Sequence, residues 1–350
     1  MPGEELELIR SSLLDFLTRE LSGREQEFEK IGIPRDFVEK LAQQGFLAAA
    51  IPTELGGSGL DRPAYFTILM NIARFSGSAA LRVMLLNGVI YRVLKKMGKE
   101  EIVRDIISGA SSISIDTSLF TKFWAAGKEK FFVDPEAPMS IFMLDGQIVL
   151  ARVSLKGSRE FRPLGFRGLK FGDPQFEVSE RVAAIKDSGK FVDSLMAEIS
   201  GDIAAVAIGM SEAALEKAME YSRVRKAFGV TLSSFQPLAF PLSIMSVQLK
   251  TLREFLLSDS GRSAADMIGI RELAADFAVV SSKQALQTHG GYGYIEDFGV
   301  EKFYRDSLAL NSLFGEKIHS MTLLAKEYYG EEAGNLSRIN SSGSGSSPLS

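Results

Sequence analysis

The most informative segment of this sequence is Tyr221-Ser222-Arg223-Val224-Arg225-Lys226-Ala227-Phe228-Gly229, which is followed by Phe235-Gln236. It closes a run of helical periodicity and groups three basic residues before an aromatic residue and a glycine. A guanidinium carries a permanent charge, and its fork of N–H donors matches the oxygens of a phosphate. Taken alone, Arg225 therefore has two interpretations, a phosphate ligand or a solvated arginine at the end of a helix.

Helical patterns continue on both sides of this segment. Apolar residues recur at the helical period through most of the first 110 residues and again from about residue 191 to 329. The predicted helices are 6–21, a helix opened by Pro34, 203–224, 235–257, 264–289, 300–310 and 318–328. The segment 62–107 is also predicted to be helical, with Gly77, Gly88 and Gly98 as its only interruptions. Pro241 has no N–H donor, so we expect it to kink or locally break the helix that contains it.

The region between the two helical parts has a different pattern. Residues 112–115, 130–133 and 175–178 are short β-prone runs, and the apolar runs 141–144 and 147–150 meet across Asp145-Gly146, a strong hairpin signal. The sequence predicts a mostly α protein with a small β-domain. We expect an N-terminal helical domain at 1–110, a shortened antiparallel β-domain at 111–187, a C-terminal helical domain at 188–330 and a flexible Ser/Gly-rich tail at 331–350.

The composition excludes several classes of protein. Forty basic and 44 acidic residues give a formal net charge of −4, so no general positive field attracts a nucleic acid. There is no cysteine, and two histidines, His289 and His319, are too few for a histidine-rich metal site. No apolar run reaches the roughly 18 residues of a membrane span, and the acidic start does not match a secretory or transit peptide. We expect a cytoplasmic protein whose chemistry depends on carboxylates or on a bound cofactor.

Two further motifs accompany the first. One is Ile51-Pro52-Thr53-Glu54-Leu55-Gly56-Gly57-Ser58-Gly59-Leu60, and the other is Gln287-Thr288-His289-Gly290-Gly291-Tyr292-Gly293-Tyr294, continued by Val300-Glu301-Lys302-Phe303-Tyr304-Arg305-Asp306. Together with the Tyr-x-x-x-Arg-x-x-Phe-Gly pattern of the first segment, their order and spacing resemble the acyl-CoA dehydrogenase family. The resemblance covers about residues 5–330 and is weakest across the β-domain.

The resemblance implies a flavoprotein in which FAD lies between subunits, so the chain is expected to be a homo-oligomer, a dimer or tetramer, or to pair with a paralogue. The cofactor-binding residues that it implies are Arg225, Phe228, Gln236, Gln287, Gly290, Gly291 and, in the β-domain, Thr117. Arg225 and the two glycines would meet the pyrophosphate, because the glycines let the backbone approach it closely. Phe228 has a second interpretation as a core anchor, and His289 is expected to be structural.

The family's catalytic carboxylate is not found at its usual place. In the family, that glutamate lies nine residues after the arginine of the Arg-Asp motif, and the residue at this position here is Phe314. The position used by a second subgroup corresponds to Ile199-Ser200. Glu316 and Glu198 lie near these two positions and are the remaining candidates for the base. Helical neighbours point about 100° apart, so this proximity is weak support. The family also has an aromatic-Ile-Thr-Asn stretch at the flavin ring, and this sequence differs there, with Phe132-Val133-Asp134-Pro135.

The sequence favours an FAD-dependent, acyl-CoA dehydrogenase-like oxidoreductase acting on an acyl thioester. Three alternatives remain open at this point. The chain is a base-less subunit of a heteromeric enzyme, or a relative of the family's flavin-dependent hydroxylases, or a scaffold without catalytic activity.

Overall fold

The computed structural model describes residues 3–120, 130–258, 262–315 and 317–330. A group of N-terminal helices, a small β-barrel and a group of long C-terminal helices follow one another along the chain, which confirms the mostly α fold with a small β-domain. Two sequence predictions, Glu316 as a base and the Ser/Gly-rich tail at 331–350, lie outside the described residues. The limits given to the domains stay predictions.

The N-terminal part contains six helices among the described residues: α1 (Gly3–Leu21), α2 (Glu25–Ile31), α3 (Arg35–Gln43), α4 (Arg62–Phe75), α5 (Gly77–Met84) and α6 (Tyr91–Lys96). A π-helical turn, Leu85–Ile90, joins α5 to α6. The resulting stretch Gly77–Lys96 is long and apolar enough to cross a membrane by length and composition, but 83% of it is buried inside the protein. It has the character of a core helix.

The middle part is a closed barrel of five short to medium strands: β1 (Ser114–Asp116), β2 (Phe132–Val133), β3 (Met139–Leu144), β4 (Gln147–Phe161) and β5 (Phe171–Ile185). Their order is β1-β2-β5-β4-β3. The predicted hairpin is confirmed, since Leu144 pairs with Gln147 and the positive φ angles of Asp145 and Gly146 suit a type I′ turn. Four of these pairings are antiparallel as predicted, whereas β1 and β3 close the barrel by a parallel pairing.

The C-terminal part contains α7 (Ser188–Val224), α8 (Gln236–Leu257), α9 (Ala264–His289), α10 (Glu301–Leu313) and α11 (Lys317–Tyr329). A two-stranded ribbon of β6 (Lys226–Ala227) and β7 (Val230–Thr231) follows α7. The structure does not show the break predicted at Pro241, because α8 continues through this residue. The packing of α8 against α7 and α9 keeps the segment helical despite the lost donor.

Candidate functional site

The C-terminal ends of α7 and α9 meet at the segment that the sequence singled out. The ring of Tyr221, in the last turn of α7, stacks on the ring of His289, the last residue of α9, with centres 4.3 Å apart. The guanidinium carbon of Arg225 lies 5.5 Å from the centre of the Tyr292 ring, within cation–π range. Two motifs that are far apart in the sequence therefore form one cluster in space.

We call Arg225, Gln287, Gly290, Gly291 and Tyr292 the motif cluster. Gly290 has φ 58° and ψ −136°, a conformation that residues with a Cβ rarely adopt. A Cβ placed on Gly290 or Gly291 would meet nothing within 4 Å, so open space lies beside both. The side chains of Arg225 and Gln287 are exposed at the same place. The cluster thus offers a guanidinium, a carboxamide and bare backbone to a ligand outside this chain's core.

Phe228 and Gln236 lie on the short connection between α7 and α8. The Phe228 side chain is 97% exposed, and its ring makes an edge contact with Phe235 at 6.5 Å. The interpretation of Phe228 as a core anchor is therefore wrong, because the tight turn with φ 53° at this residue directs the ring outward. Gln236 is the first residue of α8 and is exposed. Both side chains are available to a cofactor or to another chain.

His289 is an internal residue of the cluster. Its side chain is 6% exposed, and its Nδ1 lies 2.8 Å from the carbonyl oxygen of Ala285. Burial lowers the pKa of His289 below its usual range, which favours the neutral ring. Stacked on Tyr221, the ring joins the ends of α7 and α9, as the structural interpretation predicted.

A cavity of about 270 Å³ lies between the barrel and α10. Its lining is mainly apolar and includes Thr117, Phe131, Leu164, Phe171, Leu308 and Leu313. We call it the barrel cavity. The Thr117 hydroxyl donates a 2.8 Å hydrogen bond to the Phe131 carbonyl, so its lone pairs remain able to accept one from a ligand. The structure thus brings Thr117 to a cavity, but not to the motif cluster.

The stretch expected at the flavin ring places its aromatic residue, Phe132, away from the barrel cavity. Phe132 is fully buried inside the barrel, where it packs with Phe142 and Phe176. Asp134 pairs with Arg82 at 3.0 Å. The neighbouring Phe131, which immediately precedes β2, lines the barrel cavity instead.

Phe314, at the position of the family's usual base, is fully buried. Its ring packs against Phe120 with centres 5.5 Å apart, and its carbonyl oxygen accepts a hydrogen bond from Arg271. The Arg271 guanidinium also donates to Ser320 at 3.2 Å, and burial lowers its pKa. Phe314 has no carboxylate that could pair with the Arg271 guanidinium. The preceding residue, Leu313, lines the barrel cavity.

Glu198 belongs to a charged group between α6 and α7. Its Oε2 lies 3.0 Å from Nε of Arg92, and the same guanidinium contacts the buried Asp202 at 3.2 Å. The Tyr65 hydroxyl lies 3.5 Å from Asp202. Burial raises the pKa of Asp202 to about 6 even though Arg92 lowers it. Glu198 is therefore held by Arg92, while Ile199 and Ser200, the subgroup position, are buried without a carboxylate.

The motif cluster and the Phe314 region lie at opposite ends of the same helices. Gly315 is next to Met196, near the start of α7, and Phe314 contacts Arg271, near the start of α9. Tyr221 and His289 mark the other ends. At 1.5 Å per residue, the two places are separated by about 38 Å along α7 and about 27 Å along α9. A single flavin dinucleotide does not extend that far.

Comparison with known proteins identifies this arrangement. The acyl-CoA dehydrogenase N-terminal domain matches residues 3–112, and the acyl-CoA dehydrogenase C-terminal domain matches residues 197–328. The chain belongs to the acyl-CoA dehydrogenase family. FAD is the cofactor of this family, as the sequence motifs implied.

Several relatives match nearly end to end. The chain is 28% identical to a 3-(aryl)acrylate reductase of Clostridium sporogenes and 26% identical to the caffeyl-CoA reductase-Etf complex subunit CarC of Acetobacterium woodii, covering 87% of this chain and 93% of each relative. Among solved structures, butyryl-CoA dehydrogenase from Megasphaera elsdenii superposes with a TM-score of 0.75 at 19% identity, covering 91% of this chain and 97% of that one. A glutaryl-CoA dehydrogenase from Mycobacterium smegmatis in complex with FADH2 gives 0.80 at 14% identity, covering 94% and 95%.

The residues of this acyl-CoA dehydrogenase family member fit FAD at both places. At the motif cluster, open space beside two glycines and an exposed guanidinium suit a pyrophosphate. At the barrel cavity, a mainly apolar lining with the hydroxyl-bearing residues Thr117, Ser118 and Ser312 suits a flat ring system. Sequence reasoning missed Tyr292, which contacts Arg225. The signal was present as the variable residue of Gly-Gly-x-Gly, but only the fold shows that it meets the other motif.

Proposed function

We propose that the chain is an FAD-dependent oxidoreductase acting at the Cα–Cβ bond of an acyl thioester, with each FAD held between two chains. The observation that carries the proposal is the separation along α7 and α9 between the motif cluster and the Phe314 region, where the adjacent Leu313 lines the barrel cavity. Since one cofactor cannot bridge both places within a chain, a second copy must bring its motif cluster to the first copy's cavity. In a twofold dimer each chain would complete the other's site.

The proposed roles follow from the side chains. Arg225 pairs with the pyrophosphate through its fork, and the backbone of Gly290 and Gly291 approaches the same group. Gln287 and Gln236 offer carboxamides that both donate and accept to ribose and phosphate oxygens. Thr117 serves the flavin end at the barrel cavity. When bound, FAD would accept or return a hydride at the substrate, while the protein must bind the thioester and manage the proton at its α-carbon.

Exposed apolar side chains beside the motif cluster and along α9 support a chain–chain interface. Phe228 is 97% exposed beside it, and on α9 the residues Leu273 and Val280 are 63% and 53% exposed. These two are spaced at i and i+7 with Gln287 at i+14, so they share one helix face. A second chain packed on this face would remove both side chains from water, which favours association. We propose that a second copy covers it, in a dimer or a tetramer located in the cytoplasm.

The second candidate function is a base-less subunit that completes the flavin site of a catalytically competent paralogue. The observation in its favour is Phe314, whose ring is fully buried against Phe120 where a carboxylate is expected. Such a chain would still donate its motif cluster to a partner. It would bind FAD at an interface and turn over slowly by itself. A hydroxylase-type reaction or a scaffold role has less support, and a protein that stays colourless with added FAD would establish the scaffold.

The proposal is tested by measuring FAD affinity in Arg225→Ala and in the control Arg223→Ala, which removes a neighbouring exposed arginine from the last turn of α7. Loss of a charge-assisted bidentate contact costs about 1.5–3 kcal/mol, so we expect the Kd of Arg225→Ala to rise roughly 10- to 150-fold. The control should stay near the parent. Equal affinity in a folded Arg225→Ala protein, or a monomer that retains stoichiometric FAD, would contradict the proposal.

A further inference from the structure

The connection between β4 and β5 forms one wall of the barrel cavity. We call residues 163–168 the wall loop. Pro163, Leu164 and Gly165 line the cavity, and the adjacent Phe166 is fully buried with φ 54°. A bulky residue in this left-handed conformation is strained unless its surroundings hold it there. Something in the fold must therefore fix the loop in this position.

The end of the Tyr304-Arg305-Asp306 motif, on α10, provides the attachment. Oδ1 of Asp306 accepts a 2.6 Å hydrogen bond from the backbone N–H of Phe166, and Nη1 of Arg305 donates to the carbonyl of Leu164 at 3.1 Å. On the far side of the loop, the N–H of Gly168 donates to Ser78 at 3.1 Å. Two consecutive motif residues thus hold the two residues that flank Gly165.

The contact between loop and helix is also sterically tight. A Cβ on Gly165 would lie 2.5 Å from the carbonyl oxygen of Arg305 and 2.7 Å from Cα of Asp306, both of them backbone atoms. Asp306 itself is 1% exposed, and its Oδ2 has no hydrogen-bond partner among the described residues. Burying a carboxyl group costs folding free energy when only one of its two oxygens accepts a hydrogen bond. Its retention here is explained if the loop position matters for the site.

We propose that Arg305 and Asp306 are positioning residues that hold the wall loop against α10 and thereby set the shape of the cavity that receives the flavin ring. The inference rests on the proposed function, because it assumes that the ring of FAD enters the barrel cavity. It adds a task for a motif to which the proposed function assigns no cofactor contact. It also predicts two separable effects on FAD, affinity at the motif cluster and ring environment at the wall loop.

The experiment compares Asp306→Ala, Asp306→Asn and Gly165→Ala as full-length proteins loaded with FAD. Asp306→Ala removes the acceptor for Phe166 N–H, whereas asparagine keeps an oxygen at that place. Gly165→Ala forces the loop away from α10 without removing a polar group. Gly157→Ala is the control, since a Cβ there, elsewhere in the barrel on β4, meets nothing within 4 Å. The readouts are the visible absorption and circular dichroism of the bound flavin, and hydrogen exchange of the Phe166 amide.

We expect Asp306→Ala and Gly165→Ala to change the spectrum of the bound flavin, while Asp306→Asn and Gly157→Ala keep the parent spectrum. In Asp306→Ala, exchange of the Phe166 amide should accelerate by about 2- to 150-fold, the range that matches loss of a hydrogen bond to a neutral or a charged carboxyl group. Parent-like flavin spectra in both folded variants would overturn the inference. If Asp306→Ala does not fold, Gly165→Ala alone decides.

The outcomes also separate this inference from the proposed function. Protein that binds no FAD refutes the proposed function directly. If FAD binds and Arg225→Ala weakens it, but Gly165→Ala leaves the flavin spectrum unchanged, the proposed function stands and the role of the wall loop is wrong.

Discussion

Installing a carboxylate at position 314 is the most direct test of the missing base. Phe314 is fully buried against Phe120, and the Arg271 guanidinium, 4% exposed, bonds the backbone carbonyl of residue 314. In Phe314→Glu the new carboxylate therefore has a buried cation close to its own backbone. A general base at this place is worth roughly 10²–10⁴-fold in rate, and we expect Phe314→Glu to gain activity on acyl thioesters within that range.

The same substitution carries a cost that can be bounded from the structure. Removing a fully buried phenyl ring typically destabilises a protein by about 3–5 kcal/mol. Burial also raises the pKa of the introduced carboxyl, so the rate gain should grow toward higher pH. Urea unfolding of the variant measures the first effect. The activity gain is then corrected for the fraction of protein that remains folded.

The assay is exchange of the substrate α-proton with D2O, followed by mass spectrometry of the acyl-CoA, because it reports the base without requiring an electron acceptor. Phe314→Gln is the matched control, with similar size and polarity but no basic carboxylate. Equal exchange in Phe314→Glu and Phe314→Gln would refute the reasoning. So would fast exchange in the parent that Glu198→Ala or Glu316→Ala abolishes, since a displaced carboxylate would then be the base.

Two further predictions concern groups that the fold brings together. Burial raises the pKa of Asp202 from 3.8 to about 6, so below pH 4 both states hold the proton, and between pH 4 and 6 the unfolded chain loses it first. The free energy of unfolding should therefore fall by ~3 kcal/mol across that window. Urea unfolding of Asp202→Asn and of the parent at pH 4 and pH 7 should show this fall in the parent and not in the variant. An identical pH profile in the variant would count against the prediction. Tyr292→Leu should weaken FAD binding about two- to fivefold by fluorescence titration through loss of the contact with Arg225, while Tyr292→Phe should not, and equal losses in both would contradict the cation–π explanation.

Local patterns were sufficient for much of the fold. The predicted helix 264–289 coincides with α9, which a capping box at Ser263 begins and Gly290 ends, and the Asp145-Gly146 hairpin forms as expected. Signals of this kind act over a few residues and can be read directly from the sequence. The short helix α2 was not predicted, because it is brief and buries one residue, Phe28.

Features that depend on distant residues were not predictable in the same way. The parallel pairing of β1 with β3 arises only when the barrel closes. The outward ring of Phe228 depends on a turn with positive φ, and the capture of Glu198 depends on Arg92 from another helix. The motifs indicate the functional residues, but the packing of α7 against α9 determines which of these residues lie close together.

Whether the reaction runs as an oxidation or as a reduction, it needs a group that transfers the proton at Cα. Oxidation takes a proton from Cα, and reduction returns one to the same carbon through the same transition state, so one group must act as base in one direction and as acid in the other. Phe314 can do neither. Glu198 forms an ion pair with Arg92 at 3.0 Å, so its carboxylate would have to leave this partner to reach a substrate. If the homo-oligomer alone exchanges the α-proton of a bound thioester with D2O, the group that moves this proton belongs to the homo-oligomer, to the substrate or to ordered water, and Glu198→Ala and Glu316→Ala test the two carboxylates. If exchange requires an added paralogue, that partner supplies the group.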